Sequence, residues 1–170
     1  NAKFEVLNNG SSFIMSDGTL TIVRGGGGIA YGDLFIRPQT ASVTGGTIYL
    51  QTVNNISAPE ETFRIDASVA LNNLTITGFD ADDATRASLT VNPLNLNGNL
   101  VLSNANSYLT TNNIDVSLKG NMTNNGNTSC YSYGTNLTTF NGNTQLINGT
   151  AATNFYNLTI GPVTSVTLSH

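Results

Sequence analysis

Asn73-Leu74-Thr75-Ile76 and Asn157-Leu158-Thr159-Ile160 are the same four residues met twice, and close variants run along the chain. Gly18-Thr19-Leu20-Thr21-Ile22, Gly46-Thr47-Ile48-Tyr49-Leu50 and Gly98-Asn99-Leu100-Val101-Leu102 keep the order small or polar, apolar, polar, apolar. In a strand, successive side chains point to opposite faces. Each segment therefore gathers two aliphatic side chains on one face and Thr or Asn on the other. Restating one short strand is the mark of an architecture that stacks it.

Working outward, two-residue alternation recurs and helical spacing is almost absent. Inward pairs are expected at Phe4/Val6, Phe13/Met15, Leu20/Ile22, Leu34/Ile36, Ile48/Leu50, Phe63/Ile65, Leu74/Ile76 and Leu89/Val91. They continue at Leu94/Leu96, Leu100/Leu102, Ile114/Val116/Leu118, Leu146, Phe155, Leu158/Ile160 and Val166/Leu168. Turns rich in Gly and Asn separate them, such as Asn8-Asn9-Gly10, Gly45-Gly46, Asn97-Gly98 and Asn124-Asn125-Gly126. These residues tolerate the positive φ that tight turns need.

Two architectures fit: a parallel β-solenoid, or an antiparallel β-sandwich. Equivalent strands recur at 26 residues from Leu74 to Leu100, 22 from Leu100 to Met122 and 21 from Leu137 to Leu158. Such intervals are those of solenoid coils. The chain has no Trp and one Cys, so the buried Trp and Cys pair common in immunoglobulin-type sandwiches are missing. The expected fold is an all-β, parallel β-solenoid of about seven coils, rising about 4.8 Å per coil into a rod of about 35 Å. On this reading Leu74, Leu100 and Leu158 share one core column, with Thr75 and Thr159 outside. The chain reads as one solenoid segment, Gly-rich over about 1–66 and Asn-rich over about 67–170. Strand-like sequence at both ends leads to the expectation of an excerpt from a longer polypeptide.

Composition narrows the function classes. Charged residues are 9% of the 170, against about 25% in ordinary domains, and 25 Asn, 24 Thr and 17 Gly take their place. Disordered chains are charge-rich and poor in β-branched residues, the reverse of this one. Uncharged polar side chains on aliphatic strands point to an extracellular β protein. A net charge of −4, with Lys3, Arg24, Arg37, Arg64, Arg86 and Lys119 dispersed along the chain, argues against nucleic acid, which needs a clustered basic face. No stretch approaches the roughly 20 apolar residues of a membrane-spanning helix. Cys130 is alone, which leaves no intramolecular disulfide and no zinc site.

Leu94-Asn95-Leu96-Asn97-Gly98-Asn99-Leu100 leads to Gly120-Asn121-Met122-Thr123-Asn124-Asn125-Gly126, then to Thr139-Phe140-Asn141-Gly142-Asn143-Thr144-Gln145 and Thr153-Asn154-Phe155-Tyr156-Asn157-Leu158-Thr159-Ile160. In this order, residues 70–168 resemble the repeat regions of large secreted surface proteins of Bacteroidetes-type bacteria. The resemblance implies export by the type IX secretion machinery and display at the bacterial cell surface or release from it. It implies a role as adhesin, gliding-type adhesins included, or as structural stalk. The partners would be surface polysaccharide or other surface-protein segments.

Candidate chemistry is sparse. Asp80, Asp82 and Asp83 form a run of carboxylates on a turn, a calcium candidate because Ca²⁺ takes six to eight oxygens. The later Glu and the Gly of an EF-hand loop are missing, and a solvated turn is the plainer use. Arg64 and Asp66 fall on one strand face, as a surface ion pair, and Asp33 lies near Arg37. Glycosidase chemistry needs two carboxyls about 5–9.5 Å apart, and no such pairing stands out in sequence. Gly25-Gly26-Gly27-Gly28 lacks the Lys-Ser/Thr ending of a phosphate loop. Alternation sets Cys130 opposite Tyr131 and Tyr133, two rings that could stack on a sugar or on neighbouring coils. Asn at coil corners has a structural use, hydrogen-bonded ladders up the axis and left-handed corners. The expected function is a non-catalytic structural or adhesive segment. The alternatives are a carbohydrate-binding module, Ca²⁺-dependent or not, and a fragment of a polysaccharide lyase or hydrolase.

Overall fold

The computed structural model describes residues 3–23, 34–53, 61–81, 84–162 and 165–169, and among them every regular element is a strand. The first turn carries β1 (Phe4–Val6), β2 (Ser12–Met15) and β3 (Thr19–Val23). The second carries β4 (Leu34–Ile36), β5 (Thr40–Val43) and β6 (Thr47–Gln51), and the third β7 (Glu61–Ala67) and β8 (Asn73–Thr77). The fourth is β9 (Thr85–Leu89), β10 (Leu94–Leu96) and β11 (Leu100–Leu102), the fifth β12 (Ser107–Thr110), β13 (Val116–Leu118) and β14 (Met122–Asn124). The sixth is β15 (Tyr131–Ser132), β16 (Leu137–Phe140) and β17 (Thr144–Asn148), followed by β18 (Asn157–Ile160) and β19 (Ser165–Ser169).

Every pairing is parallel and joins one turn to the next. One face is the six-stranded sheet β1-β4-β7-β9-β12-β15, another the seven-stranded sheet β3-β6-β8-β11-β14-β17-β19. The third face is in two pieces, the pair β2-β5 and the sheet β10-β13-β16-β18, which a bridge from Leu71 to Leu96 extends into the third turn. The chain is a three-sided β-solenoid of six turns with two strands of a seventh. Among the described residues no strands pair antiparallel, which sets aside the sandwich.

The core is made of columns. Leu20, Ile48, Leu74, Leu100 and Met122 stand in register, as do Ile22, Leu50, Ile76 and Leu102. The middle residues of both columns are fully buried. Burial of a Leu or Ile side chain contributes about 1.5–3 kcal/mol. A column gives each side chain a like neighbour above and below.

Leu158 departs from the expected column. It lies on the third face, in register with Thr138, Val116 and Leu94, whereas Leu74 lies in the seven-stranded sheet. The Leu137–Leu158 equivalence slips by one residue, because Leu137 pairs with Asn157. Leu158 and Ile160 still occupy inward register positions, yet they are 46% and 43% exposed, with no described strand stacked over β18. Thr159 is exposed as expected, but Thr75 is buried, since outward-facing Tyr49 and Val101 flank it in the neighbouring coils. Val91 is exposed, Ala87 taking the inward place beside Leu89, and Leu146 faces outward while Gln145 and Ile147 are buried.

Three of the 25 Asn build a ladder at one corner. The Asn73 side-chain oxygen accepts from the Asn99 backbone N–H at 2.8 Å, Asn99 from Asn121 at 2.7 Å, and Asn121 from Leu146 at 2.8 Å. The ladder thus runs from side chain to backbone rather than from amide to amide. Each rung satisfies a corner N–H, and because two of the three rungs are exposed and the third part-buried, each contributes about 0.5–1.5 kcal/mol net. The ladder's close approach demands glycine beneath it. A Cβ on Gly120 would collide with the Gly98 backbone and the Asn99 carboxamide. Asn112 and Asn113 turn another corner at φ of 53° and 65°, the left-handed geometry Asn tolerates.

Leu100→Ala should cost about 2–5 kcal/mol in urea unfolding, the range for a fully buried leucine. Leu158→Ala should cost clearly less. Equal losses would contradict the different settings of these two leucines.

Candidate functional site

The outer face of the six-stranded sheet collects functional groups that lie far apart in sequence. Alternation turns Phe63, Ile65, Ala87, Leu89 and Leu109 inward, where they are buried. Their neighbours Arg64, Arg86, Ser88, Tyr108 and Thr110 therefore face out. Register then sets Arg86 beside Tyr108, and Ser88 beside both Arg64 and Thr110, with Ser132 next to Thr110. The Arg86 guanidinium carbon lies 4.3 Å from the Tyr108 ring centroid. Further along, Arg37 lies 5.2 Å from the Phe35 ring centroid. Lys3, just before β1, pairs with Glu5 at 3.5 Å. Four of the five described cations, Lys3, Arg37, Arg64 and Arg86, thus share this face, and Lys119 follows β13 on another. Along the sequence these cations are dispersed. Only the coil register brings them together.

Asp66 lies on β7, the third of the six strands of this face. Its carboxylate is buried, with Oδ2 3.2 Å from Arg37 Nη1. Oδ1 accepts from the Asn92 amide at 2.6 Å and from its backbone N–H at 3.3 Å. Asp66 is thus paired across the turn to Arg37 rather than as an exposed pair with Arg64. Three successive coils are joined by this one carboxylate.

At the β15 end of the face lies a groove of about 380 Å³ lined by Thr128, Ser129, Tyr131, Ser132, Tyr133 and Asn154, among others. It adjoins β15, the last strand of the six-stranded sheet. Tyr131 and Tyr133 do not present a joint stacking surface there. Tyr131 is buried, its hydroxyl 2.7 Å from Thr138 Oγ1 and 3.2 Å from Asn136 Nδ2, and its ring packs on Phe155. Cys130, in the bend that precedes β15, is buried as well, its Sγ near the Asn104 and Ala105 carbonyls. Burial raises the Cys130 thiol pKa against weaker opposing backbone hydrogen bonds, and raises the Tyr131 hydroxyl against its bonds to Thr138 and Asn136.

Of the calcium candidates, Asp80 is exposed, while Asp82 and Asp83 lie outside the described residues. Gly25-Gly26-Gly27-Gly28 and Asp33 lie outside them too. Among the described residues, no three His, Cys, Asp or Glu side chains gather as a metal site. Other carboxylates hold backbone: Asp17 Oδ1 accepts from the Gly18 N–H at 2.7 Å, and Asp115 Oδ1 from the Leu137 N–H at 2.9 Å. Asp115 continues the corner logic of the Asn ladder, one residue type removed.

No family model matches the chain, and no curated protein or solved structure matches it.

Both raised pKa values are those of groups that are neutral when protonated. The stability they contribute is fully present below the unfolded values, about 8.5 for Cys and about 10 for Tyr, and is lost as pH rises through the higher folded ones. Unfolding free energy should therefore fall as pH is raised above about 8.5, and Cys130→Ala should remove the earlier part of that fall. Flat stability to strongly alkaline pH would contradict the burial of these two groups.

Proposed function

We propose that this chain is a non-catalytic structural and adhesive segment of a large bacterial cell-surface or secreted protein. The observation that carries this reading is how its polar chemistry is spent. Asn73, Asn99, Asn121, Asp17, Asp66 and Asp115 all hold backbone or neighbouring coils in place. An acid or base in catalysis has to be held within reach of a substrate proton, and these carboxylates are committed to the scaffold instead. On the third face Asn95, Ser117, Thr139 and Thr159 stand in one outward row at the strand spacing of about 4.8 Å, a hydrogen-bonding strip. The motif order over residues 70–168 supports export by the type IX machinery and display at the cell surface.

A second reading, a carbohydrate-binding module of a secreted protein, is favoured by the Arg and aromatic groups on the six-stranded sheet. Surface adhesion and glycan recognition are compatible, and the same face can serve both.

Antibodies raised against the folded chain should label intact source cells or their released matrix. Incubated with a panel of polysaccharides, the purified chain should generate no new reducing or unsaturated chain ends. Labelling that appears only after the cells are permeabilised would overturn the surface reading, and turnover of any polysaccharide would overturn the non-catalytic one.

A further inference from the structure

We propose that the outer face of the six-stranded sheet is a binding track for an acidic polysaccharide, a glycan chain carrying carboxylates, laid along the solenoid axis. The inference rests on the adhesive reading and names the ligand class for it.

Three observations support it. The first is charge. The chain carries net −4, yet this one face holds four cations, Lys3, Arg37, Arg64 and Arg86, against two carboxylates, Glu5 and Asp66, so it is locally positive. A polyanion brought near the molecule would be oriented toward it. The second is the kind of group presented. The Arg86 guanidinium is held over the Tyr108 ring, and Arg37, held over Phe35, already spends one N–H on Asp66. A guanidinium so held keeps its N–H edge in a fixed direction, suited to the planar carboxylate of a uronic acid. The third is the row Ser88, Thr110 and Ser132, one hydroxyl per coil, leading from the cations to the groove by Tyr133 and Asn154. Hydroxyls at one per coil can exchange hydrogen bonds with the hydroxyls of successive sugars, and the groove can seat the end of the chain.

Charge density decides between a glycan and a nucleic acid. Duplex DNA presents a negative charge every ~1.7 Å of axis and selects dense clusters of cations. Here the cations are interleaved with Glu5 and Asp66, one carboxylate beside Lys3 and one beside Arg37. That spacing repels closely set phosphates and tolerates a polymer whose carboxylates are farther apart.

The test is titration of the folded chain with polygalacturonate oligomers, dextran of matched length and duplex DNA, followed by calorimetry at low and raised salt. Polygalacturonate should bind, binding should weaken as salt rises, and dextran should bind at least about tenfold more weakly, a difference of about 1.4 kcal/mol. The pair Arg86→Gln with Tyr108→Leu should weaken polygalacturonate binding by about tenfold or more, whereas Lys119→Gln, on another face, should leave it unchanged. Arg86→Lys, which keeps the charge and loses the planar fork, should fall between them and guards against misfolding of the double variant. Circular dichroism melts establish that each variant is folded. No binding of polygalacturonate by the folded chain, equal binding by the double variant, or preference for DNA would each overturn the proposal. Failure here with intact-cell labelling preserved would leave the surface reading standing. Binding here without surface labelling would remove that reading and keep the ligand class.

Discussion

Each coil of this solenoid must lie directly over the one before it, at the spacing of parallel hydrogen-bonded strands. That single constraint governs the inside, the corners and the outside of the molecule together. Inside, it requires that residues one coil apart be alike in size, as in Ile48, Leu74, Leu100 and Met122. At the corners, it brings backbone of successive coils too close for a side chain, so Gly98 and Gly120 stack with the Asn ladder beside them. Outside, it turns residues 20 to 31 positions apart in sequence into immediate neighbours, as with Thr139 and Thr159 or Phe35 and Asp66.

Where the inward columns leave aliphatic chemistry, hydrogen bonds replace packing. Asn124 continues the column of Ile76 and Leu102 and is fully buried. Its amide donates to the Asn127 and Ala152 carbonyls, and its oxygen accepts from the Gly126 N–H. Gln145, also buried, accepts from the Gly142 N–H and donates to the Leu118 and Gly120 carbonyls. A buried amide is stable only when so paired. The later coils thus tie their loops to the core by side-chain hydrogen bonds, where the earlier coils rely more on aliphatic contact.

The legible part of the fold was that with aliphatic inward residues. Leu74, Leu100 and Met122 carry the coil period in plain view, and the parallel solenoid follows from it. Strands whose inward places hold Ser107, Thr138 or Gln145 carry no apolar alternation, so β12, β16 and the true phase of β17 were not evident. The identical Asn-Leu-Thr-Ile segments mislead for a related reason. A repeat fixes which residues face inward, but the sheet to which a copy belongs depends on the number of residues in the intervening corners. The basic face was hidden altogether, since Arg37, Arg64 and Arg86 approach one another only through coil length. Even Arg64 and Arg86, 22 residues apart and so near one coil period, are offset by two residues in the register.

The most direct test of the stacked-coil account is pulsed electron–electron spin-resonance distance measurement between labels on one outward column. Thr21, Thr123 and Ser169 lie in β3, β14 and β19, with four strand steps between the first two and six between the first and last. At about 4.8 Å per step, backbone separations of roughly 19 Å and roughly 29 Å are expected, so the label distance should grow by about 10 Å from one pair to the other. Equal distances for the two pairs, or a shorter one for the pair farther apart along the stack, would contradict the solenoid and everything argued from its register.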